Sequence, residues 1–178
     1  MPKLIPDVFQ HCPRCGVENQ HVGSNPFHCG DCDFLYYFNP AVAVAGVVTD
    51  DRGRVLFLRR ARDPGKGRLG LPGGFVDLGE STEDALIREV KEEVNLDVSR
   101  LHYITALPNT YIFRDLAYIV ADVFYSCDIV SMDAMEISAK EIESCFFCHP
   151  TEKELAEMAF ASNRKAVEMY LQQRPLAS

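Results

Sequence analysis

Apolar residues along this chain follow two different periods. From Ala41 to Thr49 (AVAVAGVVT) and from Arg54 to Arg60 (RVLFLRR) they run almost unbroken over the length of a strand, the pattern of strands covered on both faces. Asp50-Asp-Arg-Gly53 lies between them and reads as a hairpin turn with glycine at its end. After Ser81 the period becomes helical. Leu86, Ile87, Val90 and Val94 fall on one arc and are expected to face the core. Ser81 suits the N-cap, with Asp84 three residues on, and Asn95 tolerates the left-handed conformation that ends a helix. Strand patterns return at Asp97 to Leu107 and Leu116 to Cys127. Two helices close the chain, one opened by Thr151 (TEKELAEM) and one capped by Ser162 (SNRKAVEMYLQQ).

The chain has 178 residues, enough for one ordinary domain and a small appendage. Its formal net charge of -8 argues against a protein that coats duplex nucleic acid, which needs a basic footprint. Acidic substrates stay open, because bound metal ions reverse the local charge. No apolar run reaches the ~18 residues of a transmembrane helix, and MPKLIPDVFQ lacks the apolar core of a signal peptide. The expected location is the cytoplasm.

Seven cysteines then change the picture of the N-terminus. Cys12, Cys15, Cys29 and Cys32 form two CxxC pairs, with thirteen residues between Cys15 and Cys29. Without a secretion signal they read as metal ligands. Four thiolates make a closed tetrahedral set, the pattern of structural zinc, and leave no open position for catalysis. Gly16 and Gly30 are the residues expected to supply unusual backbone angles. His11 and His28 precede the knuckles and are expected at the surface. Asn39-Pro40 marks a boundary, giving a zinc ribbon over 1–38 and a main domain over 39–178. Cys145 and Cys148 form a third CxxC. Residues three apart on a strand point to opposite faces, so this pair is read as ordinary strand cysteines, and Cys127 likewise.

The chemistry concentrates between Gly73 and Leu96. Glu89, Glu92 and Glu93 lie within about a 100° arc of the helix. Like charges at this spacing are unfavourable by roughly 0.2–0.5 kcal/mol per pair, which points to a cation, and a divalent-metal site handling phosphates is the reading. Gly73 and Gly74 allow close backbone approach to a ligand, and a carbonyl there can bind metal. Arg88 can pair with a carboxylate such as Glu80. The loop RARDPGKGR at 60–68 is read as solvated at any single residue, with contacts to phosphate open.

The spacing Gly-x5-Glu-x7-Arg-Glu-U-x-Glu-Glu-x-Gly-U, met here by Gly74, Glu80, Arg88, Glu89, Val90, Glu92, Glu93, Asn95 and Leu96, resembles the signature box of the Nudix hydrolases. Asn95 stands where the family has glycine. The four-cysteine ribbon ahead of the box is similar to that of the NADH pyrophosphatase group and of related enzymes acting on FAD or ADP-ribose. The stretch from Ala106 to Arg114 matches that group's SQPWPFPxS motif only at Pro108.

The resemblance implies an α/β fold, an α/β/α sandwich around a mixed sheet with a small zinc ribbon. It also implies hydrolysis of a pyrophosphate linkage in a nucleoside diphosphate derivative, with NADH, ADP-ribose or FAD leading. Glu89, Glu93 and the Gly73 carbonyl would hold Mg2+ or Mn2+, with Glu92 as a further ligand directly or through water. Arg88 and Glu80 would orient them. Glu141, or failing it Glu136, would add a later acid. Tyr37, five residues after Cys32, falls where the group has a substrate-contacting tyrosine, and a homodimer is implied. The competing reading is a non-catalytic nucleotide sensor or an RNA- or protein-docking module. Removal of a nucleotide cap from RNA is the narrower third.

Overall fold

The computed structural model describes residues 2–173. The chain forms two compact units, Met1–Ala41 with Thr110–Val120, and Val42–Asn109 with Ala121–Ser178.

The larger unit is built on a sheet whose strands alternate their side chains between two faces. β4 (Ala41–Thr49) and β5 (Val55–Arg60) are antiparallel across the Asp50–Gly53 turn. β6 (Leu69–Gly70) pairs with β5, and β7 (Gly73–Phe75) with β4. β8 (Val98–Phe113) pairs with β9 (Leu116–Ile129), which lies next to β4, while β10 (Ile142–Cys148) runs antiparallel to β5.

One face carries Val44, Val48, Leu56, Leu58 and Tyr125 against Ala85, Leu86, Val90 and Val94 of α1 (Thr82–Val94). The other carries Ala45, Val47, Val55, Phe57 and Phe124 against Leu155 of α2 (Glu152–Glu157) and Ala166, Val167 and Tyr170 of α3 (Ala161–Gln173). The unit is therefore an α/β/α sandwich. Both faces of β4 and β5 are covered, which accounts for their unbroken apolar runs. Each fully buried Val, Leu or Phe contributes about 1.5–3 kcal/mol. Gly46 lets α1 lie close, since a Cβ there would sit 3.0 Å from Leu86 Cδ1.

The smaller unit holds β1 (Lys3–Leu4), a 3-10 turn at Ile5–Val8, β2 (Phe27–His28) and β3 (Leu35–Tyr36). β2 and β3 pair antiparallel, and β1 runs parallel to Leu116–Ala117 at the start of β9. Phe9, Phe27, Phe34, Tyr36 and Phe38 stack around the cysteines. No helix is long and apolar enough to cross a membrane, among the described residues.

Several expectations are corrected. Ile87 is 41% exposed; Ala85 takes its place on the buried stripe. Ser162 does not cap α3, which begins at Ala161; its hydroxyl donates to Asp122 Oδ2 at 2.6 Å. In the first knuckle Gly16 has φ +80, but in the second the left-handed residue is Asp33 (φ +54), not Gly30. β8 runs six residues beyond Leu107 and turns into β9 through Arg114 and Asp115, both with positive φ. Cys145 and Cys148 do face opposite sides of the sheet, one in each core layer.

Candidate functional site

Helix α1 is fixed at both ends by the residues expected to fix it. The Ser81 hydroxyl oxygen accepts from the Asp84 N–H at 3.1 Å and donates to Asp84 Oδ2 at 2.7 Å. Asn95 closes the helix in the left-handed conformation, its N–H donating to the Lys91 carbonyl. Thr82 is bonded to the Tyr125 hydroxyl at 2.7 Å, which pins the first turn to β9. The acidic face is thereby set against β7.

The glycine pair meets that face through two contacts. The Gly73 N–H donates to Glu93 Oε2 at 3.0 Å. A Cβ on Gly74 would collide with the Glu89 carboxylate, so only a glycine leaves that side chain its place. Gly73 has φ +147, and a Cβ there would overlap the Val44 carbonyl oxygen. Gly73 is thus required by close approach to backbone, whereas the neighbour of Gly74 is the movable end of a side chain.

Arg88 organises the rest of the box. Its Nε and Nη2 donate to the two oxygens of Glu80 at 2.9 Å each, Nη1 to Glu89 at 2.8 Å, and Nη2 also to the Phe75 carbonyl at 3.1 Å. This forked pairing is the geometry that guanidinium makes best. The bonds from Arg88, and then from the Asp77 N–H, hold the Glu80 carboxyl below its ordinary range. Glu92 is farther out, 3.7 Å from Arg88 with its side chain 61% exposed.

Glu89 and Glu93 behave differently. Burial raises the Glu89 carboxyl, and repulsion from Glu92 and Glu141 adds to that, against the pull of Arg88. Glu93 is 7% exposed. Burial, opposed by the Gly73 N–H and reinforced by Glu89 and Glu141, pushes it up to about 8. Glu89, Glu93 and Glu141 carry hard oxygens that repel one another across a partly desolvated site, the donor chemistry a dication takes. Among the described residues, only the four cysteines gather their donor atoms within 4.8 Å of one another.

Glu141 sits just before β10 and pairs with Arg62, 2.7 Å between Nη2 and Oε2. Glu136 is exposed, its N–H bonded to the Val94 carbonyl. Two arginines of the basic stretch have partners, although Arg62 stays exposed, as expected of a solvated loop. Arg62 holds Glu141, and Arg60 lies over the Phe160 ring at 5.2 Å and acts electrostatically on Glu93. Their positions come from the pairing of β10 with β5, which no local pattern shows. A cavity of about 720 Å³ bounded by Asp50, Asp51, Arg100, Asp128 and Met132 contains no residue of the box.

In the smaller unit, Cys12, Cys15, Cys29 and Cys32 bring their sulfurs within 4.8 Å of one another. Two of the separations are 3.7 Å (Cys12 to Cys32) and 3.6 Å (Cys15 to Cys29). Tetrahedral Zn–S bonds of ~2.3 Å place sulfurs about 3.8 Å apart, so the set fits zinc. The thiols also repel one another when ionised. Burial would raise Cys12, but the N–H groups of Cys15 and Arg14 bring it down to about 6, whereas burial and its neighbours push Cys32 up to about 12. His11 and His28 are exposed and outside the set. Tyr37 is 56% exposed beside the aromatic stack.

Residues 39–170 match the NUDIX domain family. An ADP-ribose pyrophosphatase of Methanocaldococcus jannaschii is 48% identical over 63 residues, 35% of this chain and 37% of the relative. The NAD-capped RNA hydrolase NudC of Vibrio atlanticus is 33% identical over 134 residues, 73% of this chain and 47% of the relative. This chain therefore spans less than half the length of either. Among solved structures, a NUDIX hydrolase from Nitrosomonas europaea superposes with a TM-score of 0.69 at 22% identity, over 93% of this chain and 92% of that one. The match of residues 39–170 takes in the glycine pair, the Arg88 fork and the acidic face of α1 together, and on that ground the chain belongs to the Nudix hydrolase family.

Proposed function

We propose that this chain hydrolyses the pyrophosphate linkage of a nucleoside diphosphate derivative, with NADH, ADP-ribose and FAD as the leading substrates. The observation that carries the reading is the contact of Glu93 with Gly73 beside the mutually repelling Glu89 and Glu141. The relatives' names, an ADP-ribose pyrophosphatase and a NAD-capped RNA hydrolase, support the substrate class.

Glu89, Glu93, the Gly73 carbonyl and Glu141 would hold Mg2+ or Mn2+, with Glu92 at the exposed edge. Bound there, the ions neutralise the phosphates and lower the pKa of a bound water. Arg88 keeps Glu89 turned toward the glycine pair, and Glu80 in turn fixes Arg88. Gly74, which leaves the Glu89 carboxylate its place, and Tyr37 are proposed as contacts to the nucleotide. Zinc in the four-cysteine set is structural. The cytoplasm, where paired cysteines hold metal rather than disulfides, is the proposed compartment.

Purified protein with Mg2+ or Mn2+ is incubated with NADH, NAD, ADP-ribose, FAD, dinucleoside polyphosphates and NAD-capped RNA, and the products are identified. Turnover of at least one, lost by about 10²-fold or more in Glu93→Gln, is the expected result. Nucleotide binding without turnover would assign the chain to the sensor class instead.

A further inference from the structure

Glu141 is held by more than its own strand. Its N–H donates to the Ser138 carbonyl at 3.0 Å, and the Ser138 N–H donates to the Glu93 carbonyl at 2.8 Å. The turn that carries Glu141 is therefore bonded to α1 at Glu93. On the other side, the Glu141 carbonyl accepts from the Ala61 N–H at 2.9 Å, which sets Arg62 next to Glu141.

The loop that carries Arg62 is braced without it. Arg60 Nε donates to the Pro64 carbonyl at 2.7 Å and Arg59 Nη1 to the Gly67 carbonyl at 2.6 Å. The Gly67 N–H closes onto the Arg60 carbonyl, and the Arg60 N–H onto Arg68. Arg62 has a different partner, the Glu141 carboxylate at 2.7 Å, with its own side chain 59% exposed. Exposed pairs of this kind are weak, ~0.2–1 kcal/mol. Yet this one occupies a carboxylate whose charge reaches both Glu89 and Glu93.

We infer that Arg62 competes with the divalent ions for Glu141 and, once displaced, is free to pair with the substrate's phosphate oxygens. The inference rests on the reading above that Glu141 belongs to the ligand set. Arg62 holds only Oε2 of Glu141, but a dication on the same carboxylate repels the guanidinium and shares its charge, so each weakens the other's hold. Unlike Arg88, which Glu80 also ties down, Arg62 is free to leave. Displaced, the fork of Arg62 suits phosphate oxygens, which a point charge meets less well. Metal and nucleotide binding are then positively coupled, each favouring the state in which Arg62 has left Glu141.

The test measures Mn2+ binding directly, from the electron paramagnetic resonance signal of the free ion, without substrate. Arg62→Ala is expected to bind Mn2+ about two- to fivefold more tightly than the natural chain, the scale of a surface ion pair. Arg62→Lys, which keeps the competing charge, is expected to stay near the natural affinity. In steady-state assays both raise KM several-fold with little change in kcat. Glu141→Gln is expected to bind Mn2+ less tightly. Equal or weaker Mn2+ affinity in Arg62→Ala overturns the proposal. So does unchanged affinity in Glu141→Gln, which also removes Glu141 from the ligand set. Loss of turnover in Glu93→Gln stands apart from both and tests the hydrolase reading alone.

Discussion

The backbone N–H of Gly73 donates to Oε2 of Glu93 across 3.0 Å, so the glycine loop and helix α1 meet at a carboxylate rather than at an apolar contact. Gly73→Ala is expected to be severe, because the new Cβ would overlap the Val44 carbonyl oxygen and the backbone sits at φ +147. A loss of about 1–3 kcal/mol from overpacking is the least expected, measured by urea unfolding. Turnover should fall further than stability explains, since a shift of β7 away from β4 would also break the Gly73 bond to Glu93.

Arg88 bridges Glu80, Glu89 and the Phe75 carbonyl at once. Removing such an orienting partner typically costs about 10- to 100-fold in metal affinity or activity. Arg88→Ala is expected in that range, and Arg88→Lys close to it, because an ammonium cannot span both Glu80 oxygens and Glu89. Recovery of near-natural kcat/KM in Arg88→Lys would show that charge alone matters there.

The buried Asp122 offers a pH test away from the box. Burial raises its carboxyl, against the hydrogen bonds from Ser162 and Asn109. In the unfolded chain it ionises near the ordinary ~3.9. As pH rises past that value the unfolded state gives up the proton first, so stability falls until the folded pKa is passed. Asp122→Asn removes this contribution. The difference in unfolding free energy between Asp122→Asn and the natural chain should shift in the variant's favour from acid toward neutral pH. A difference that does not vary with pH contradicts the assignment.

Zinc content is checked by elemental analysis of the purified chain, with one ion per chain expected. Cys15→Ser, or treatment with a strong chelator, should remove it and loosen the smaller unit, as metal binding is folding energy in such modules. Protection of amide hydrogens in residues 9–38 is the readout. Protection equal in treated and untreated chains would count against a structural ion.

What the residue pattern revealed, and what it hid, divides along sequence distance. α1 was legible to the residue at both ends, because Ser81, Asp84 and Asn95 act within a turn of their own positions. The knuckles were legible for the same reason, although Asp33 and not Gly30 takes the left-handed angle, aspartate being among the residues that tolerate it. The β8–β9 hairpin was hidden because its turn places Arg114, with a full side chain, at φ +47 where the usual signal is Asn-Gly or Asp-Gly. Ser162 looked like a cap, yet its hydroxyl answers a buried carboxylate forty positions away. Arg62 and Glu141 are nearly eighty residues apart, and their pairing depends on the register of β10 against β5.

The backbone of residues 130–141, between β9 and β10, completes the last turn of α1. Glu136 and Ser138 donate to the carbonyls of Val94 and Glu93, Val130 donates to Asp97, and the Asn95 side chain reaches the Ala134 carbonyl. Those bonds use main-chain atoms of the segment, not its side chains. An engineer retuning this segment could therefore exchange Met132 or Lys140 freely. Inserting or deleting one residue, by contrast, would unthread the helix end and carry Glu93 with it.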